Sequence, residues 1–203
     1  MKKQIVFIKG GEAFSHYEDF LNYLRTVEVR DPAALEQRRW TKTLQEDLGA
    51  DFEVFMPTMP NKQNAKYEEW KIWLERHFQF LHDDVVLIGH SQGGYFLLKY
   101  LSENDMPVRV RALYLLASPA GPDDFGAEDG GDFAFETERI KDIQKNVKDV
   151  YIFHSEDDPV VPYSHATTLK GLLPNAKLIT FSDRGHFLTE TFPEFVEHIK
   201  ANS

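Results

Sequence analysis

Six short apolar runs punctuate the chain: Ile5–Ile8, Phe52–Phe55, Val85–Ile88, Leu113–Leu116, Val150–Phe153 and Leu178–Phe181. Their hydrophobicity is continuous rather than alternating, so each is expected to be a strand covered on both faces, the condition of a parallel sheet. Parallel neighbours need long crossovers, and helical patterns fill the gaps. Tyr67, Trp70, Leu74, Phe78 and Leu81 recur every three or four residues, which puts them on one helical face as core packing. Asp31-Pro32 is an N-cap followed by an N1 proline, opening a helix expected to carry Leu35, Leu44 and Leu48 and to stop at Gly49. Further helices are expected over Tyr95–Leu101, Thr137–Lys145, Tyr163–Leu172 and Glu190–Lys200. Strand and helix thus alternate about six times, which predicts an α/β fold: a three-layer α/β/α sandwich with about six mostly parallel strands. Sites in such sheets lie beyond the carboxyl ends of the strands.

The 203 residues suit one domain over 1–203, and 42% hydrophobic with 28% charged residues is far from a disordered composition. A net charge of −10 without a Lys/Arg cluster argues against nucleic acid and membrane surfaces as partners. The absence of cysteine excludes disulfides, thiolate zinc sites and cysteine nucleophiles, and fits a cytoplasmic protein. The opening Met1–Lys9 has an apolar run broken at Lys9, so it is expected to be the first strand rather than a signal peptide. No stretch approaches the roughly 20 apolar residues of a membrane span. No histidine pair has the spacing of a zinc peptidase, and no cofactor is expected.

The segment Asp84 to Leu98 reads as strand, tight turn and helix, with Gly-His-Ser-Gln-Gly at Gly89–Gly93. Small residues beside Ser91 are needed because such a turn is strained and its helix descends close to a neighbouring strand. The turn exposes the serine hydroxyl with a helix N-terminus behind it. A serine hydroxyl is a poor nucleophile unless a base, itself held by a third group, takes its proton. An acidic turn, Glu156-Asp157-Asp158, follows the fifth apolar run, and Gly185-His186 follows the sixth. Each candidate therefore sits just after the carboxyl end of a strand, in the order serine, acid, histidine.

From Ile5 to Ile199 the chain resembles the α/β-hydrolase superfamily, in its compact branch of small serine hydrolases that includes retinoblastoma-binding members. The superfamily's Gly/Ser-x-x-Asp-x-x-Val-Pro pattern maps onto Ser155, Asp158, Val161 and Pro162, which selects Asp158 as the acid, and its late Gly-His maps onto Gly185 and His186. The resemblance implies a catalytic Ser91, Asp158 and His186. It also implies an oxyanion hole from the backbone N–H groups of Gln92 and the turn at Gly11, with Glu12 as the other candidate there. Lys9 stands where the common form of that turn has histidine. Large caps are absent from the compact branch, so only Pro119–Phe135 is available to cover the site.

The expected activity is hydrolysis of a small ester or thioester. A peptidase or amidase would use the same triad, and a non-catalytic binding module is the competing class. The Leu-x-Cys-x-Glu segment of retinoblastoma recognition cannot exist in a chain without cysteine. His90, His154 and His16 are expected to be structural, and Asp51, Asp157 and Asp183 to be turn or surface residues, with Asp183 a rival for orienting His186. Asp123–Phe133 carries five carboxylates and no cation and reads as a solvated loop. Its sharper reading is a lid that sets Phe125 or Phe133 over an acyl pocket and repels anionic substrates.

Overall fold

The structure, a computed structural model, describes residues 1–29, 31, 39–121 and 129–203. The expected strands form one parallel sheet: β1 (Lys3–Ile8), β2 (Phe52–Phe55), β3 (Val85–His90), β4 (Val110–Leu116), β5 (Val147–Ser155) and β6 (Lys177–Phe181), in the order β2-β1-β3-β4-β5-β6. Helices α1 (Tyr17–Thr26), α2 (Trp40–Leu48), α3 (Tyr67–His77), α4 (Gln92–Glu103), α5 (Ile143–Asn146), α6 (Ser164–Leu172) and α7 (Pro193–Asn202) join them.

Two cores explain why the strands read as unbroken apolar runs. Val6, Ile8, Val85, Leu87, Leu113 and Ile152 pack with α3, α4 and α6, whereas Ile5, Phe7, Val86, Ile88, Tyr114 and Phe153 pack with α2 and α7. Successive strand residues face opposite layers, so both parities must be apolar. The direction of strand addition reverses between β1 and β3, the switch point at which an open α/β sheet leaves a crevice beyond its strand ends.

Several helices differ in extent from expectation. Helix α4 starts at Gln92 rather than Tyr95, because its first turn contains the two glycines the preceding bend needs. Helix α3 stops at His77 and a 3₁₀ turn follows over Phe78–Phe80, so Leu81 lies beyond the helix. Thr137–Asp142 is 3₁₀, leaving one α-helical turn in α5. Helix α7 begins at Pro193, where a missing N–H is harmless. The expected start of α2 at Pro32, with Leu35, lies outside the described residues, and the described helix runs from Trp40. Helix α1 was not expected. It buries no residue fully and leans on Phe14 through Phe20 and Tyr23, at ring distances of 5.7 and 5.3 Å. Among the described residues no helix is long and apolar enough to cross a membrane.

The lid reading of Phe133 is overturned. Its ring is fully buried among Trp70, Tyr67 and Phe96, with Trp70 at 5.3 Å. The carboxylates beside it hold backbone: Asp132 accepts the Tyr67 N–H at the start of α3, and Asp129 accepts from Ser15 and Gly131. Asp123, Asp124, Phe125 and Glu128 lie outside the described residues.

Candidate active site

Ser91 joins β3 to α4 with φ 54° and ψ −127°, a conformation strained for any residue with a side chain and tolerated only where its surroundings over-determine it. The surroundings do. Ser91 N–H donates to Leu116 O on β4 at 2.9 Å, and Ser91 O accepts from Gly94 and Tyr95 of the new helix at 2.8 and 3.2 Å. The helix comes down so close to β1 that a Cβ on Gly93 would lie 2.1 Å from Ile8 O, and one on Gly94 would lie 2.5 Å from Ser118 Oγ. Glycine is the one residue type that fits there. Gln92 N–H, at the first position of α4, has no partner among the described residues, as expected of a helix N-terminus.

Asp158 follows β5, and its carboxylate is inaccessible to solvent. Its Oδ1 accepts the N–H groups of Val160 and Val161 at 2.8 and 3.0 Å, and its Oδ2 lies 2.8 Å from His186 Nδ1. Burial alone would raise its pKa. The His186 hydrogen bond and charge, with the two backbone N–H groups, outweigh burial and hold the carboxyl below the usual range. An ionised Asp158 keeps a proton on Nδ1 of His186 and leaves Nε2 as the free base.

His186 sits between two left-handed residues, Gly185 at φ 51° and Phe187 at φ 52°. Side chains from three other segments anchor the backbone of its loop. Asp157 Oδ1 accepts from Gly185 N–H at 2.9 Å and from Ser155 Oγ at 2.5 Å, while Ser155 Oγ accepts from Arg184 N–H at 3.0 Å. His90 Nε2–H donates to His186 O at 2.8 Å, Trp40 Nε1 to Phe187 O at 2.8 Å and Arg39 Nη1 to Leu188 O at 3.0 Å. Burial, then the nearby His186 charge, pushes the His90 pKa down to about 3, so its ring is neutral.

Ser91 and His186 line one cavity of about 570 Å3, with Gly10, Gly11, Glu12, Trp40 and Leu188 among its walls. No hydrogen bond joins Ser91 to His186; such contacts are often long without substrate. Gly10 crosses in front of the serine, since a Cβ on it would lie 3.0 Å from Ser91 Cβ. Glu12 N–H is spent on Lys62 O at 2.7 Å, which leaves Gly11 as the candidate second donor of this turn. Asp183 is no rival to Asp158: it is 79% exposed and its nearest cation is Arg184, at 3.8 Å. His154 is buried behind Asp158 and bonded to Val161 O, and His16 is an exposed residue flanking α1. Asp157 is the residue whose part was underestimated; its lone signal was a carboxylate one position before the acid. Among the described residues no cluster of three His, Asp or Glu side chains is arranged to hold a metal ion. A cavity of about 680 Å3 at the opposite strand ends, near Asp84 and Lys148, has neither serine nor histidine in its lining.

Comparison with known proteins shows the family and the fold. The serine hydrolase family model matches residues 25–197. The rat serine hydrolase RBBP9 is 31% identical over 157 residues, covering 74% of this chain and 77% of that protein. The putative hydrolase YdeN of Bacillus subtilis is 24% identical over 160 residues, covering 77% and 82%. The crystal structure of the ydeN product superposes with a TM-score of 0.74 at 21% identity, over 99% of this chain and 98% of that one. An esterase domain from Rhodothermus marinus gives a TM-score of 0.62 at 18% identity, over 98% and 84%. At such identities the structural likenesses bear on the fold.

Proposed function

Because the chain belongs to the serine hydrolase family, we propose that it hydrolyses a small ester or thioester in the cytoplasm through an acyl-enzyme on Ser91. In this reading Ser91 Oγ attacks the carbonyl carbon while His186 Nε2 takes its proton, and Asp158 stabilises the resulting imidazolium. The N–H groups of Gln92 and Gly11 hold the tetrahedral oxyanion, each donor worth about 3–4 kcal/mol of barrier. Collapse breaks the bond to the alcohol or thiol, which leaves with the proton from His186. Water then repeats the attack, again deprotonated by His186, and releases the acid and Ser91.

One observation carries the proposal: a serine strained at φ 54° faces the same cavity as a histidine whose far nitrogen is fixed by a buried carboxylate. A cavity of about 570 Å3 with an open mouth suits a small molecule. The test is labelling with a fluorophosphonate probe, followed by turnover of p-nitrophenyl esters and of aminopeptide substrates. Wild type should be labelled, Ser91→Ala should not, and esters should be turned over faster than amides. Equal labelling of Ser91→Ala would remove the nucleophile from the proposal, and faster turnover of peptides would make the chain an amidase.

A further inference from the structure

The cavity in front of Ser91 has the opposite sign to the rest of the molecule. The chain has 33 acidic and 23 basic residues, yet among the described residues the cavity lining holds four cations, Lys9, Arg39, Lys42 and Lys62, against one carboxylate, Glu12. These cations arrive from separate segments. Lys9 precedes the Gly10-Gly11 turn, Lys62 is bound to that turn through its carbonyl, and Arg39 and Lys42 stand at the start of α2. Such convergence is not a by-product of one helix face.

Three of these cations keep donors for a ligand. The side chains of Lys9 and Lys62 make no hydrogen bond or ion pair among the described residues. Among the described residues Arg39 spends one N–H on Leu188 O and keeps the rest of its guanidinium fork. Burial pushes the Glu12 carboxyl up, and its side chain already bonds Tyr23. Burial lowers the Lys9 pKa most, and the like charges of Lys62 and Lys42 nearby lower it further. An incoming anion relieves that crowding. The distant acidic surface cannot cancel the effect, because at physiological salt its field is screened beyond about 8 Å, whereas a cleft focuses the field of its own walls.

We propose that the substrate is an ester or thioester carrying a carboxylate within a few atoms of the scissile bond, drawn in and oriented by Lys9, Lys62 and Arg39. This rests on the serine hydrolase reading above. It also reverses the expectation from the acidic loop, that anionic esters would be repelled.

The experiment uses the full chain and isosteric ester pairs, each rate divided by the ester's own alkaline hydrolysis rate. One pair sets the charge on the acyl half, mono-p-nitrophenyl glutarate against p-nitrophenyl valerate. The other sets it on the alcohol half, 4-acetoxybenzoate against p-tolyl acetate. In at least one pair the carboxylate ester should have kcat/KM roughly 10-fold higher at low salt, an advantage that shrinks severalfold near 0.5 M NaCl. The doubly substituted Lys9→Gln, Lys62→Gln protein, checked for an unchanged melting temperature, should bring that ratio toward one. Neutral esters favoured equally or more in both pairs, at either salt, would overturn the anionic substrate and leave the hydrolase standing. Absence of turnover together with absence of Ser91 labelling would sink the hydrolase itself. If Ser91 is labelled while no ester turns over, the same ratio is read from the inactivation rates of carboxylate-tipped and neutral alkyl fluorophosphonates. Faster inactivation by the carboxylate-tipped probe then supports the anionic substrate, and an equal or slower rate overturns it.

Discussion

The two halves of the site are held in place by different physics. At the serine turn the constraint is steric: β1, β4 and α4 approach until positions 93 and 94 have no room for a Cβ. Around His186 it is a set of directed hydrogen bonds, from Asp157, Ser155, His90, Trp40 and Arg39 to the backbone of residues 184–188. A steric constraint acts on every conformation of the turn at once, whereas a hydrogen-bonded loop loses its anchors one at a time. Damage to the first half should therefore appear as lost stability, and damage to the second as lost turnover in a folded protein.

The largest effect expected from this contrast is that of Gly93→Ala. Its Cβ would meet Ile8 O at 2.1 Å, a backbone atom that cannot swing aside, so either β1 or α4 must shift. Overpacking of this kind costs about 3 kcal/mol, read as a lower urea midpoint with unchanged slope. A midpoint within error of wild type would mean that the turn is not sterically closed. Asp157→Ala should do the reverse. Removing the acceptor for Gly185 N–H frees one side of the histidine loop, and a misplacement approaching 1 Å is expected to lower kcat roughly 30-fold with little change in KM or urea midpoint. Asp157→Asn, which keeps an acceptor oxygen, should recover most of the loss. If kcat and stability fall together, Asp157 is only a structural residue.

The same contrast decides what was legible in the residues. Continuous apolar runs identified all six strands because burial on both faces leaves no choice of residue type. Gly89, Gly93 and Gly94 marked the serine turn because the close approach admits nothing larger. Asp157 left no such mark, since many side chains accept a hydrogen bond and the partner N–H lies 28 residues away. Helix α1 was missed although Phe20, Leu21 and Leu24 have helical spacing, because it packs on the surface and buries no residue fully. Phe133 read as a lid residue because Gly and Asp around it suggested solvent. Instead those carboxylates cap α3 and bind backbone, which lets the ring enter the core.

His90 belongs to both halves, and the smallest effect we predict tests their junction. It ends β3 next to Ser91, and its Nε2–H holds His186 O with the two rings 4.8 Å apart. In the folded chain its pKa is pushed down to about 3, first by burial and then by the His186 charge. An unfolded histidine takes a proton below about pH 6.5, so between those values the unfolded state binds a proton that the folded state refuses. Stability is then complete above about pH 6.5 and is lost as the pH falls, by up to roughly 1.4 kcal/mol per pH unit for each such histidine. Burial shifts His154 in the same direction, so His90 supplies only part of the slope. His90→Gln retains a donor for His186 O and removes the titration. Between pH 6 and 4.5 its urea-unfolding free energy should depend on pH less steeply than that of wild type, by roughly 1 kcal/mol per pH unit. A slope identical to wild type would mean that His90 takes up a proton as readily in the folded chain as in the unfolded one, so that the junction between serine turn and histidine loop is not closed to charge.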